Sequence, residues 1–126
     1  MDQLNYRFEC LDGNYELQID FDENEANYEI RTTLPGFVEF IGILGKEKTQ
    51  AFRNKLIEAK ITNWDRCYEA TGSSIEDAVK WSLVYCTQDK EYRSEGEETY
   101  EPYGYEHLIE ALVICDEKAS FFKEGI

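Results

Sequence analysis

Apolar and polar residues alternate through most of the first third of the chain. Leu4, Tyr6, Phe8 and Cys10 alternate with Asn5, Arg7 and Glu9. After Asp12-Gly13-Asn14, where glycine can take the positive φ of a tight turn, Tyr15, Leu17, Ile19 and Phe21 alternate with Glu16, Gln18, Asp20 and Asp22. A period of two is the signature of a strand with one buried face. A third alternation (Tyr28, Ile30, Thr32, Leu34) stops at Pro35-Gly36. The run 37–44 is apolar at both parities, which predicts a strand buried on both faces inside the sheet. Three or four consecutive antiparallel strands follow from this pattern.

The pattern changes at Gly45. Residues 46–60 contain neither Gly nor Pro, and Ala51, Phe52, Leu56, Ile57 and Ala59 recur at helical spacing. This predicts a helix laid on one face of the sheet. Residues 61–68 read as an extended return, 71–74 as a loop, and 74–77 as the start of a short helical turn, since Ser74 precedes acids. Trp81, Leu83 and Tyr85 then mark a strand face, and 92–96 the strand that answers it. Leu108, Ile109, Leu112 and Cys115 mark a second helix over 105–115, and 116–126 reads as a frayed tail that Phe121 and Phe122 are apolar enough to dock. The expected fold class is α+β: one domain over 1–126, with a single antiparallel sheet of about six strands and two helices. A chain of 126 residues is the size of one domain and can bury a core without a disulfide or a metal.

Charge narrows the function. Thirteen Lys+Arg against 27 Asp+Glu give −14. Such a chain lacks the basic footprint that counterion release from nucleic acid requires, and an anionic membrane surface repels it, so neither is an expected partner. A basic protein is, and so is charge that serves solubility alone. The charge is uneven: 1–45 holds ten acids and two bases, net −8; 46–68 holds three acids and six bases, net +3; 69–126 holds fourteen acids and five bases, net −9. No apolar run approaches the roughly 20 residues of a membrane span. The opening Met1-Asp2-Gln3-Leu4 has no basic or apolar leader, so the expected compartment is the cytoplasm. There Cys10, Cys67, Cys86 and Cys115 are expected as thiols, Cys10 and Cys115 packed in the core.

Trp64 and Tyr68, the Trp81-Ser82-Leu83-Val84-Tyr85 strand, a polar turn, Tyr92-Arg93-Ser94-Glu95-Gly96, then Tyr100-Glu101-Pro102-Tyr103 and an amphipathic helix form a recurring pattern. Over residues 61–115 it resembles a loose group of small uncharacterised proteins of Firmicutes and their mobile elements. That group usually has Tyr directly before Pro, where this chain has Glu101. The resemblance implies a hairpin-plus-helix unit and an origin in a phage or mobile element, and it brings no activity with it. Read from the residues alone, Gly96 permits a bend out of the strand and Pro102 fixes φ ahead of the helix.

No string for an enzyme emerges. GxSxG, HExxH, Walker A and GxGxxG are absent. The single histidine, His107, has Glu110 three residues on as its facing carboxylate, an arrangement more often found on an ordinary helix surface than in a catalytic pair. Asp20, Asp22, Glu23 and Glu25 gather at one turn without the spacing of a calcium loop. The expectation is therefore no catalysis, no cofactor and no metal. Acids on alternate strand positions repeat every ~6.7 Å, near the phosphate spacing of one nucleic-acid strand, although any acidic strand shares that match. Tyrosines add contact area at low entropic cost. The leading expectation is thus an acidic inhibitor, a nucleic-acid mimic of the anti-defence kind, that occupies a basic nucleic-acid-binding site on a partner. Its expected contact residues are Glu16, Asp20, Asp22, Glu29, Glu95, Glu97, Glu98, Tyr100, Glu101 and Tyr103. The alternative is an immunity or adaptor protein that grips a toxin or complex subunit through a Tyr-rich surface.

Overall fold

The structure, a computed structural model, describes residues 2–68, 79–97 and 102–124. Its strands are β1 (Asp2–Cys10), β2 (Gly13–Phe21), β3 (Ala26–Thr32), β4 (Phe40–Leu44), β5 (Cys67–Tyr68), β6 (Lys80–Cys86) and β7 (Glu91–Glu97). Two principal helices are α1 (Lys46–Ala59) and α2 (Tyr105–Cys115), and a short helical turn, α3 (Phe121–Glu124), follows α2. The strands form one sheet in the order β4-β3-β2-β1-β6-β7-β5. The α+β class with one sheet and two helices matches the sequence. The sheet, however, has seven strands and is mixed, because β5 runs parallel to β7.

Glycine explains that extra strand. Gly96 does not bend the chain out of β7; it stays in the strand. A Cβ there would lie 2.6 Å from the Tyr68 carbonyl oxygen and 3.1 Å from the Trp81 ring. Its bare Cα lets β5 and Trp81 close in together. The Glu95 N–H donates to Arg66 O (3.0 Å) and the Ser94 hydroxyl to Asp65 O (2.6 Å), which fastens the approach to β5.

The alternation read from the sequence sorts the sheet into two faces. Leu4, Tyr6, Phe8, Tyr15, Leu17, Ile19, Phe21, Trp81 and Leu83 are buried on one of them. Both helices pack there: Phe52 of α1 meets Phe21, with ring centroids 5.5 Å apart, and Tyr105 of α2 meets Trp81 at 5.2 Å. On α1 the buried stripe is Thr49, Phe52, Leu56 and Ala59, whereas Ala51 and Ile57 face out. Thr49 is tolerated inside because its hydroxyl donates to Leu44 O. Leu108, Ile109 and Leu112 are wholly buried, and each contributes about 2 kcal/mol by leaving water. Tyr6 and Tyr105 join hydroxyl to hydroxyl at 2.6 Å, satisfying both polar ends in the core.

Two expectations are corrected. Residues 116–124 are not frayed: a 3-10 turn (Glu117–Ser120) leads into α3, and Phe122 sits 4.5 Å from the Phe8 ring and 4.8 Å from that of Tyr15. The strand expected inside the sheet, β4, is an edge strand. Among the described residues it pairs only with β3, and Phe40, Ile41 and Ile43 are 55, 75 and 66% exposed. Two apolar faces read the same whether a strand is enclosed by its own fold or left bare for something else. The loop and helical turn expected at 71–77 lie outside the described residues.

Candidate partner-binding face

The described helices all lie against one side of the sheet, and none of them covers the other side. Three cross-strand rows run over its middle. Ile43, Asn27, Asp20, Gln3, Cys86 and Glu91 form the first; Ile41, Glu29, Gln18, Asn5, Val84 and Arg93 the second; Arg31, Glu16, Arg7, Ser82, Glu95 and Cys67 the third. Glu9, Lys80 and Glu97 continue beyond them. Glu16, Asp20, Glu29, Glu95 and Glu97 therefore share one face; Glu97, one residue past the strand expected at 92–96, belongs to β7. Asp22 lies just past the end of β2, where its carboxylate accepts the Glu23 N–H at 2.7 Å.

Register also brings cations onto this face. Glu16 has Arg7 opposite it on β1 and Arg31 opposite it on β3. It accepts from Asn5 Nδ2 (2.8 Å) and Arg7 Nε (3.0 Å). The Asn5 bond first, then the bond and charge of Arg7, hold its carboxyl below the usual range. Glu29 accepts from Arg31 Nε at 2.6 Å, and Glu91 pairs with Arg93. Counted over the seven strands, the face carries seven acids and four bases. Asp20 is placed differently. Its Oδ1 is shielded and accepts no hydrogen bond from the described residues.

The carboxylates of this face that form no ion pair with an arginine of the described residues gather at two corners: Asp20 with the Asp22, Glu23 and Glu25 turn, and Glu95 and Glu97 with Glu9 beside Lys80, where Arg7, Arg66 and Arg93 line the same concavity as Glu95. Ile41 and Ile43 border the first corner. They escaped sequence reasoning because the run was read as internal. The signal that would have found them is a five-residue strand (FIGIL) with no charged residue to protect an edge.

Of the remaining expected contact residues, only Tyr103 is among the described ones, and it does not join this face. Tyr103 is 92% exposed but stands on the helix side, in the turn before α2. Glu98, Tyr100 and Glu101 lie outside the described residues. His107 belongs to an ionic cluster between the helices: its Nδ1 lies 2.9 Å from Glu110 and 3.5 Å from Glu58, and Lys55 reaches both carboxylates. Among the described residues, no three His, Cys, Asp or Glu side chains come together in a way that could hold a metal ion. No described helix is long and apolar enough to cross a membrane.

Neither the protein-family models nor the curated proteins contain a match to this chain. The geometry alone carries the functional reading.

Proposed function

We propose that the chain is a non-enzymatic binding protein that grips a basic protein partner with the open face of its sheet. Ile41 and Ile43 supply the apolar anchor, and the two acidic corners guide the approach. The observation that carries this reading is the placement of two isoleucines, 75 and 66% exposed, on the same face as Asp20 and Glu29. Folding gains nothing by exposing them, while an interface gains both a desolvated centre and a charged rim. The narrower reading, an anti-defence inhibitor that imitates nucleic acid, draws support from five expected acids sharing one face. Arg7, Arg31 and Arg93 weigh against it, since a phosphate array has no cations built in. The adaptor reading keeps its hydrophobic grip, carried by isoleucines rather than tyrosines.

The test is affinity capture from a host lysate on the immobilised chain, eluted by increasing salt. Ile41→Asp with Ile43→Asp should abolish specific retention, and Asp20→Lys with Glu95→Lys and Glu97→Lys should shift elution to lower salt. Leu11→Asp, at an exposed turn residue between β1 and β2, should change neither. Retention of the same proteins by the isoleucine variant would refute the assignment.

A further inference from the structure

A second concavity lies on the helix side, away from the open face. It encloses about 480 Å³ between the C-terminal half of α1, the 3-10 turn Ile61–Asn63 and the ends of β2 and β6. That volume is typical of sites for small organic ligands. Phe21, Leu56, Ile57, Ile61 and Tyr85 give it apolar walls. Arg53 also lines it, but that guanidinium is already committed: it pairs with Asp2 (3.4 Å), donates to Asp22 O (3.1 Å) and lies 4.6 Å from the Phe21 ring centroid. The uncommitted cation is Lys60, which forms no ion pair with the described residues. Thr62 and Asn63 stand beside it as neutral donors.

Lys60 is also a backbone outlier. It is the only non-glycine residue at positive φ among those described (φ 55), and it ends α1 with its N–H shared between Leu56 O and Ile57 O. Helices usually place glycine in that conformation. A lysine held there against preference, in the lining of a cavity, is the kind of strain that accompanies binding sites. The surroundings agree. Residues 46–68 carry six bases and three acids in a chain of net −14, so this is the part of the molecule that least repels an anion.

We propose that this cavity binds a small amphiphilic carboxylate, with its apolar body between α1 and the sheet and its carboxylate on Lys60. The test is an amide NMR titration of the full chain with 4-phenylbutyrate and octanoate, each against the alcohol of the same carbon skeleton. Saturable shifts confined to residues 50–63 and to Phe21 and Tyr85 are expected. The acid should bind roughly two- to fivefold tighter than its alcohol, as one exposed ion pair gives. Lys60→Gly separates charge from fold, because glycine suits the local φ. Its melting temperature should equal or exceed that of the parent, while acid and alcohol should bind alike. The proposal is overturned if no saturation appears by about 10 mM, a level weaker than useful recognition, or if the shifts lie elsewhere. It is equally overturned if Lys60→Gly retains the preference for the acid.

Discussion

Gly104→Ala tests how the two helices are joined. Gly104 precedes α2 with φ +94, and a Cβ built on it would lie 2.6 Å from the Ala59 carbonyl oxygen and 3.1 Å from the Ala59 Cα. That same oxygen accepts the Trp64 indole N–H at 2.8 Å. Three costs meet at one atom. An L-residue at this φ costs about 1 kcal/mol. Pushing packed backbone aside costs about 1–3 kcal/mol, and losing the indole bond about 1 kcal/mol. Since one movement relieves part of each, a destabilisation of about 3 kcal/mol is expected. Gly36→Ala is the control. Its φ is +84, but nothing lies within 4 Å of the added carbon, so only the first cost, about 1 kcal/mol, applies. Urea unfolding followed by tryptophan fluorescence and circular dichroism measures both. Trp64 and Trp81, with ring centroids 5.9 Å apart, also report on the lost indole bond directly. Equal destabilisation of the two variants would refute the close approach of α2 to the end of α1.

Three further outcomes follow from the same geometry. Phe122→Ala should cost about 3–5 kcal/mol in urea unfolding, because its ring, 2% exposed, packs on Tyr6, Phe8, Tyr15 and Phe37; a loss below about 1 kcal/mol would mean that residues 116–124 are not docked. Burial, with the Asp116 charge behind it, pushes the Cys115 thiol up to about 12, so in the native chain at pH 8 a thiol reagent should modify the exposed Cys67 well before Cys115, and a fast Cys115 would contradict the packing of α2. Glu16 is held below its ordinary pKa in the folded state, so its stabilisation is present above about pH 4.3 and is lost as pH falls through the lowered value; in Glu16→Gln the change in unfolding free energy between pH 7 and pH 3 should shrink by about 0.5 kcal/mol, the scale of a partly exposed pair, and an unchanged profile would remove the Asn5 and Arg7 contacts from consideration.

The legible parts of this fold are those whose period is set by a single buried face. β1, β2 and β3 alternate because one side meets the helices, and α2 spans the residues its apolar stripe marks. The illegible parts depend on a neighbour that the local sequence does not name. β5 has two residues and no period, and its pairing rests on a missing Cβ at Gly96 in a strand twenty-eight positions later. The place of β4 depends on whether anything covers its second apolar face. Phe121 and Phe122 could be read as able to dock, but not where. For the candidate face, the acids were visible and their pairing was not. Arg7, Glu16 and Arg31 are separated along the chain, and only the register of three strands aligns them in one row.

That row changes what the net charge of −14 can do. Seen from beyond a Debye length, about 8 Å at physiological salt, the Glu16, Glu29 and Glu91 pairs present little field. The corners with no arginine partner are what an approaching molecule senses. From the strand spacings, Asp20 and Glu95 stand roughly 20 Å apart, so each corner is screened from the other and attracts independently. Reversal of one corner should therefore remove about half of the salt dependence of partner binding and leave the rest, because independent exposed charges add. Measured as association rate against ionic strength, Asp20→Lys with Asp22→Lys should lower the slope without abolishing binding, while Ile41→Asp should raise the dissociation rate and leave the association rate nearly as salt-sensitive as before. If one corner carries the entire salt dependence, the partner touches the face at one end only, and the isoleucine edge decides which end, since Ile43 lies in the same row as Asp20 and Glu95 lies at the far side of the sheet.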